Sequence, residues 1–174
     1  MLLLKKIILT HFKNYEIKQF DFNKKIVGIY GANGVGKTNL LDAIYYCCFT
    51  KSYFSGSDAL NIGFDKEGFR LEAFFEKEDR TFAVKCIHRG NKKEFFLNDV
   101  QYDKLSKHIG LFTVVMIAPD DTGLISNGSE ERRKYLDILI SQLDAEYLQQ
   151  LMQYNKILQQ RNSFLKAAAV EHTI

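Results

Sequence analysis

The residues best suited to chemistry lie in one run, Gly31-Ala32-Asn33-Gly34-Val35-Gly36-Lys37-Thr38, continued by Asn39. The run fits the phosphate-loop pattern G-x-x-x-x-G-K-[ST] at every fixed position. Gly31, Gly34 and Gly36 carry no side chain, so the backbone can turn tightly and aim its N–H groups at phosphate oxygens. Lys37 is a flexible cation that can reach the outer phosphates of a nucleotide. The Thr38 hydroxyl can ligate a Mg²⁺ that also touches that nucleotide.

Such a loop works only between a strand and a helix, and both flanks read that way. Ile26-Val27-Gly28-Ile29-Tyr30 is a short apolar run that predicts a buried strand. After the loop, Leu40, Leu41, Ile44 and Cys48 recur at helical spacing, which predicts an amphipathic helix over 37–49. This order sets an anionic ligand at the positive end of the helix. The bland alternative is a glycine-rich turn that matches by chance, and such a turn does not require these flanks.

Length and composition set the bounds. The 174 residues suit one domain, or one domain plus the start of another. Hydrophobic residues make up 46%, enough for a core and too many for global disorder. The net charge of +3 is compatible with nucleic acid without arguing strongly for it. No apolar run is long enough for a membrane-spanning helix, and Met1-Leu2-Leu3-Leu4-Lys5-Lys6 lacks the features of a signal peptide. Cys47, Cys48 and Cys86 lack metal spacing and read as reduced, buried thiols of a cytoplasmic protein. His11, His88, His108 and His172 also lack ligand spacing and read as surface or core histidines.

In chain order, residues 2–9 predict a strand, residues 11–15 a polar-aromatic corner, and residues 15–22 a second strand. Residues 50–61 read as a loop. Alternation over 69–76 and again over 82–88 predicts an antiparallel hairpin, extended by 94–97. Asn98-Asp99 signals a turn, 102–109 a short helix, and 111–118 a buried apolar strand. Past Pro119 the pattern turns helical. Ser129 reads as an N-cap followed by Glu130 and Glu131, and Asp144 as the cap of a long last helix. Asn155 and Asn162 fall on one heptad stripe of that helix and suit a paired helical arm. Residues 1–118 therefore read as a nucleotide-binding lobe and 119–174 as the start of a helical second lobe.

Several stretches together carry a family resemblance. They are Leu4-Lys5-Lys6-Ile7 through Phe12-Lys13-Asn14-Tyr15, and the phosphate loop with Asn39-Leu40-Leu41-Asp42-Ala43-Ile44. Thr50-Lys51-Ser52-Tyr53, Ala118-Pro119-Asp120-Asp121 and Gly128 through Asp137 add to them, as do Tyr154-Asn155-Lys156 and Gln160-Arg161-Asn162. With these stretches the chain resembles the N-terminal half of the SMC/ABC-type ATPase family, and within it the RecF family of DNA replication and repair proteins. The resemblance implies an α/β head of the ABC/SMC P-loop type, with a mixed sheet around the P-loop helix and antiparallel hairpins. It implies ATP and Mg²⁺ as cofactors and an ATP-dependent homodimer of the full-length protein. DNA with single-strand/double-strand junctions, and mediators of the RecO and RecR type, are the partners it implies. By motif position, Lys13 and Asn14 are placed near the phosphates, beside residues 31–39, with Thr38 on the metal.

The chain also departs from that family. RecF-type proteins are about twice as long, and neither the ABC signature motif nor the Walker B acid is found here. The nearest lookalike, Val114-Val115-Met116-Ile117, is separated from Asp120-Asp121 by Ala118-Pro119, whereas the acid must sit directly at a strand end. No glutamine lies between residues 102 and 141 to sense a γ-phosphate. The catalytic residues are therefore unknown, and the chain alone is expected to hydrolyse poorly. Lys5, Lys6, Lys13, Lys18, Lys24 and Lys25, together with Arg89, Lys92 and Lys93, are candidates for DNA backbone contacts or ordinary surface cations. Two other classes stay open: another SMC-like ATPase of chromosome organisation or phage defence, and a P-loop small-molecule kinase. A kinase usually shows an arginine-rich lid, which the hairpins of residues 69–98 do not suggest.

Overall fold

In a computed structural model, residues 1–126 and 128–171 are described, and His172 falls outside them. The described chain separates into two compact units, Met1–Met116 and Ile117–Ile174.

The first unit is built on one antiparallel sheet of six strands in the order β2-β1-β3-β4-β5-β6. These are β1 (Leu2–Phe12), β2 (Tyr15–Asp21), β3 (Gly68–Lys77), β4 (Arg80–Arg89), β5 (Lys92–Leu97) and β6 (Val100–Gln101). Two-residue turns set the register of β3 on β4 and of β5 on β6. Glu78 and Asp79 take φ of 52° and 60°, and Asn98 and Asp99 take 49° and 63°, a pair of positive values that matches the right-handed twist of the flanking strands. In the resulting pairing Leu71 faces Cys86, Ala73 faces Val84, and Phe75 faces Phe82, so alternate residues share one face.

Helix α1 (Lys37–Phe49) covers that face. Leu40, Ala43, Tyr46 and Cys47 join Ile7, Leu9, Leu71, Ala73, Phe75, Val84, Cys86 and Phe95 in one core. Full burial of such side chains is worth about 1.5–3 kcal/mol each. The rings of Phe12, Tyr46 and Phe69 meet edge to face, which adds about 0.5–1.5 kcal/mol per pair. Leu41, expected on the apolar face, is 44% exposed instead. All three cysteines are free and buried, and burial pushes their thiols up, that of Cys48 to about 12.

Several buried polar groups in this core are paired, whereas Asn61 Oδ1 and His88 Nδ1 have no hydrogen-bond partner among the described residues. The Tyr46 hydroxyl donates to Asp58 Oδ1 at 2.6 Å, and Lys93 Nζ lies 2.7 Å from Asp58 Oδ2. This ties β5 and the 3₁₀ turn Asp58–Asn61 to α1. His108 is fully buried, with Nε2 2.7 Å from the Cys47 carbonyl and Nδ1 3.2 Å from the Tyr102 hydroxyl.

Two expected strands do not form. Residues 26–30 and 111–118 are irregular, and Ile26 and Tyr30 are 90% and 95% exposed. A strand exists only where a neighbour accepts its ladder of hydrogen bonds. The described sheet ends at β2 and β6, neither of which pairs with these segments. The helix expected over 102–109 contracts to a 3₁₀ turn, Leu105–Lys107.

The second unit is helical: a 3₁₀ turn Pro119–Thr122, α2 (Gly123–Ser126), α3 (Ser129–Leu143) and α4 (Ala145–Glu171). Gly128, not Ser129, occupies the N-cap of α3. Asp144 caps α4 as expected, its Oδ1 accepting from the N–H groups of Glu146 and Tyr147 at 2.8 and 3.0 Å. The Tyr147 hydroxyl donates to Asp137 at 2.5 Å and pins the start of α4 to α3. Beyond Leu148 most side chains of α4 are exposed, among them Tyr154, Ile157 and Phe164. Among the described residues no helix is long and apolar enough to cross a membrane.

Burial lowers the pKa of His108, the Cys47 carbonyl opposing that shift only in part. The neutral ring is the folded form, so the unfolded chain binds the proton first. The stability this residue contributes is complete above the unfolded histidine pKa of about 6.5 and is lost as pH falls from there. The melting temperature should drop between pH 7.5 and 5, and His108→Gln should flatten that drop; an unchanged slope contradicts this.

Candidate nucleotide-binding site

The phosphate loop emerges from the backbone its glycines permit. Gly31, Gly34 and Gly36 take φ of 151°, 83° and 103°, values that residues with a Cβ rarely adopt. Gly36 is the N-cap of α1, and no side chain caps that end. The N–H groups of Lys37, Thr38 and Asn39 have no intrahelical acceptor, being in the first turn. The first turn also contains no acid, so nothing offsets the positive end of the helix. Lys37 bends back over the loop, its Nζ 2.9 Å from the Gly31 carbonyl and 2.8 Å from the Ala32 carbonyl. Residues 31–35 and Thr38 are exposed, whereas Gly36 is buried. A cation, a row of donors without intrahelical acceptors and an exposed hydroxyl thus lie together at the helix end, and this donor set fits a nucleotide polyphosphate.

The corner between β1 and β2 holds the loop in place. The Tyr15 hydroxyl donates to the Gly36 carbonyl at 3.1 Å. Asn14 Nδ2 lies 3.4 Å from the Gly34 carbonyl, and Asn14 Oδ1 accepts from Asn39 Nδ2 at 2.7 Å. The fit is tight: a Cβ on Gly36 would lie 2.7 Å from Asn14 Oδ1 and 3.0 Å from Tyr15 Cζ.

Lys13 is at the same corner, with φ of 52° and its N–H donating to the Asn61 carbonyl at 2.8 Å. Its ammonium turns inward to Asp42 Oδ2 at 2.5 Å. Asp42, on α1 and fully buried, also accepts from Ser52 Oγ and from the Tyr53 N–H, both at 2.7 Å. So the structure brings Asn14 to the loop, whereas Lys13 turns away from it to Asp42. Sequence reasoning assigned nothing to Asp42, Ser52 or Tyr15. The available signal was a lone carboxylate among the inward-facing residues of an apolar helix.

The other expected features are spread out. Arg89, Lys92 and Lys93 do not form a shared positive patch, since each pairs with its own carboxylate: Glu67, Glu94 and Asp58. Lys5 pairs with Glu76 and Lys6 lies over the Phe74 ring, while Lys18, Lys24 and Lys25 are exposed. Lys134 pairs with Glu130 one turn back in α3. Among the described residues no group of three or more His, Cys, Asp or Glu side chains could hold a metal. A cleft of about 450 Å³ lined by Lys66, Arg70, His88 and Arg89 lies elsewhere on the sheet. Its three cations are already neutralised by Glu16, Glu72 and Glu67, so it suits phosphate poorly.

Gly36→Ala should therefore be strained by its φ and by contact with Asn14. The expected loss is about 1–3 kcal/mol of stability, read as a lower melting temperature. Asn14→Ala in the same chain should restore only part of it, by removing the contact but not the φ. Full tolerance of Gly36→Ala would show that the corner is not closed on the loop.

A family model of the AAA domain matches residues 6–171. The chain is 47% identical over 171 residues to the DNA replication and repair protein RecF of Flavobacterium johnsoniae, covering 98% of this chain and 48% of that protein. It is 43% identical to the RecF of Bacteroides thetaiotaomicron, covering 95% and 46%. The chain thus spans about half the length of the curated relatives it matches. Among solved structures it is similar to the recombination mediator protein RecF of the RecFOR pathway in the forms RecF-ATPrS and RecF-ATP. Their TM-scores are 0.89 and 0.87 at 32% and 33% identity, and each match covers 95% of this chain and 45% of that one. The chain belongs to the AAA-domain family, has the ABC/SMC-type head fold, and is similar to the N-terminal half of the RecF proteins.

Proposed function

We propose that the chain is the nucleotide-binding part of an ATP-binding DNA repair and recombination protein. The observation that carries this reading is the exposed, uncapped N-terminus of α1 under a three-glycine loop, with Lys37 lying across it. The likeness to RecF-ATP supports adenine nucleotide as the ligand. Gly31 through Asn39 form the phosphate cradle: the N–H groups of Gly34, Gly36, Lys37, Thr38 and Asn39 hold phosphate oxygens, and Lys37 releases the loop carbonyls to reach the outer phosphates. The Thr38 hydroxyl is the one protein ligand this region offers a Mg²⁺, the rest of whose shell would come from the nucleotide and water. When bound, Mg²⁺-ATP supplies a polyphosphate charge and a hydrolysable γ-phosphoryl group.

The residues at the loop bind and orient, and residues 31–39 themselves include no acid to activate water. Asp42 is buried and committed to Lys13, Ser52 and Tyr53. Asp121 Oδ2 accepts from the Ala118 N–H at 2.5 Å, in a 3₁₀ turn instead of at a strand end. The whole protein would use nucleotide binding to dimerise, engage single-strand/double-strand junctions in DNA, and act with RecO- and RecR-type mediators in recombinase loading. Exposed Lys18, Lys24 and Lys25 are available for backbone phosphates, which would give salt-dependent, sequence-independent affinity. Residues 1–118 act as the nucleotide lobe, with 119–174 beginning the helical lobe.

Calorimetric titration with Mg²⁺-ATP and Mg²⁺-GTP tests the reading. ATP should bind more tightly than GTP, and Lys37→Ala should weaken ATP by at least about tenfold, or 1.4 kcal/mol. Turnover by the chain alone should be close to background. Vigorous hydrolysis, or ATP affinity indifferent to Lys37→Ala, overturns it.

A further inference from the structure

We infer that Asp42 is a positioning residue for the phosphate loop, acting through Lys13 on the corner formed by Asn14 and Tyr15. The inference rests on the nucleotide-site reading above and names what holds that site open. The Asp42 carboxylate is fully buried and takes three donors: Lys13 Nζ at 2.5 Å, Ser52 Oγ at 2.7 Å and the Tyr53 N–H at 2.7 Å. Both oxygens are thereby occupied by groups from two different segments.

The chain path makes Lys13 the productive partner. Lys13 is held in a left-handed conformation, and its N–H is bonded to the Asn61 carbonyl. With backbone and ammonium both fixed, the next two side chains have little choice of direction. Asn14 is delivered to Gly34 and Asn39, and Tyr15 to Gly36. Because Asn39 and Asp42 are both on α1, the corner grips the helix twice, at its first turn and one turn deeper. The second partner, Ser52, faces the other way. Its Oγ accepts from the N–H groups of Phe54 and Ser55 at 3.2 and 2.9 Å and organises the turn after the helix. One carboxylate thus serves two segments, and only one of them leads to the loop.

This assignment makes Lys13 a structural cation and not a phosphate ligand, and the two roles differ in experiment. If Lys13 bound phosphate, Asp42→Asn would free it and leave ATP affinity equal or improved. If Asp42 positions the corner, Asp42→Asn and Lys13→Met should each weaken ATP by about tenfold. The double variant should be no weaker than either single one, because both break the same link. Ser52→Ala should lower the melting temperature while changing ATP affinity less than twofold, which separates positioning from general loss of stability. Tyr15→Phe, which leaves the buried pair intact, should also weaken ATP, and it covers the case in which Asp42→Asn does not fold.

Hydrogen exchange on the nucleotide-free chain gives a readout independent of binding. Asp42→Asn and Lys13→Met should speed exchange of peptides spanning 13–15 and 34–39 together, and Ser52→Ala should not. Wild-type chain that binds no ATP would defeat the nucleotide reading, while the exchange experiment still decides the link from Asp42 to the loop. Multiplying effects in the double variant, unchanged exchange at 34–39, or Asp42→Asn binding ATP as tightly as wild type would each overturn the inference.

Discussion

A helix whose first turn must stay empty is the constraint on which this structure turns. An N-cap side chain or an early acid would steady α1 by about 1 kcal/mol, and either would occupy the donors that the loop leaves free. The sequence places Gly36 there instead, with Lys37 as the first helical residue. The stability forgone at that end is recovered along the helix. Leu40, Ala43, Tyr46 and Cys47 are all buried against the sheet, and tertiary burial of this kind, more than intrinsic propensity, sustains most short helices in proteins.

Polar groups inside the core do a second job, fixing where the helix sits. Asp42 ties α1 to the corner before β2, and the Tyr46–Asp58–Lys93 group ties it to β5. At its C-terminal side the Cys47 carbonyl meets His108. Burial keeps the Tyr46 phenol protonated, so it is the donor in its bond to Asp58. Apolar packing alone would allow α1 to slide or rotate over a surface of similar side chains. Directional bonds at three points along the helix do not, since any shift strands a buried donor or acceptor, at about 1–3 kcal/mol each.

What could be read from the sequence follows from the range of the interactions involved. The loop was legible because its chemistry is local: glycine, lysine and threonine at fixed spacing act through their own backbone. Strands β3 to β5 were legible because alternation reports which face is buried. The short β6 strand was missed, since only two residues follow the Asn98-Asp99 turn before the pairing ends. Segments 26–30 and 111–118 have strand-like composition, yet composition cannot supply a neighbouring ladder. Asp42 was invisible as a functional residue because its three donors come from positions 13, 52 and 53, which only the fold brings together. The pairing of Arg89 with Glu67 and of Lys93 with Asp58 was hidden for the same reason.

Helix α4 has a mechanical consequence. Its 27 residues span about 40 Å, and the Asp144 cap and the Tyr147–Asp137 bond both lie within its first turn. For a rod of that length, a tilt of one degree at Asp144 displaces the far end by about 0.7 Å. A rearrangement small enough to leave the α3–α4 junction intact would be magnified into a displacement of several ångströms at the distal end.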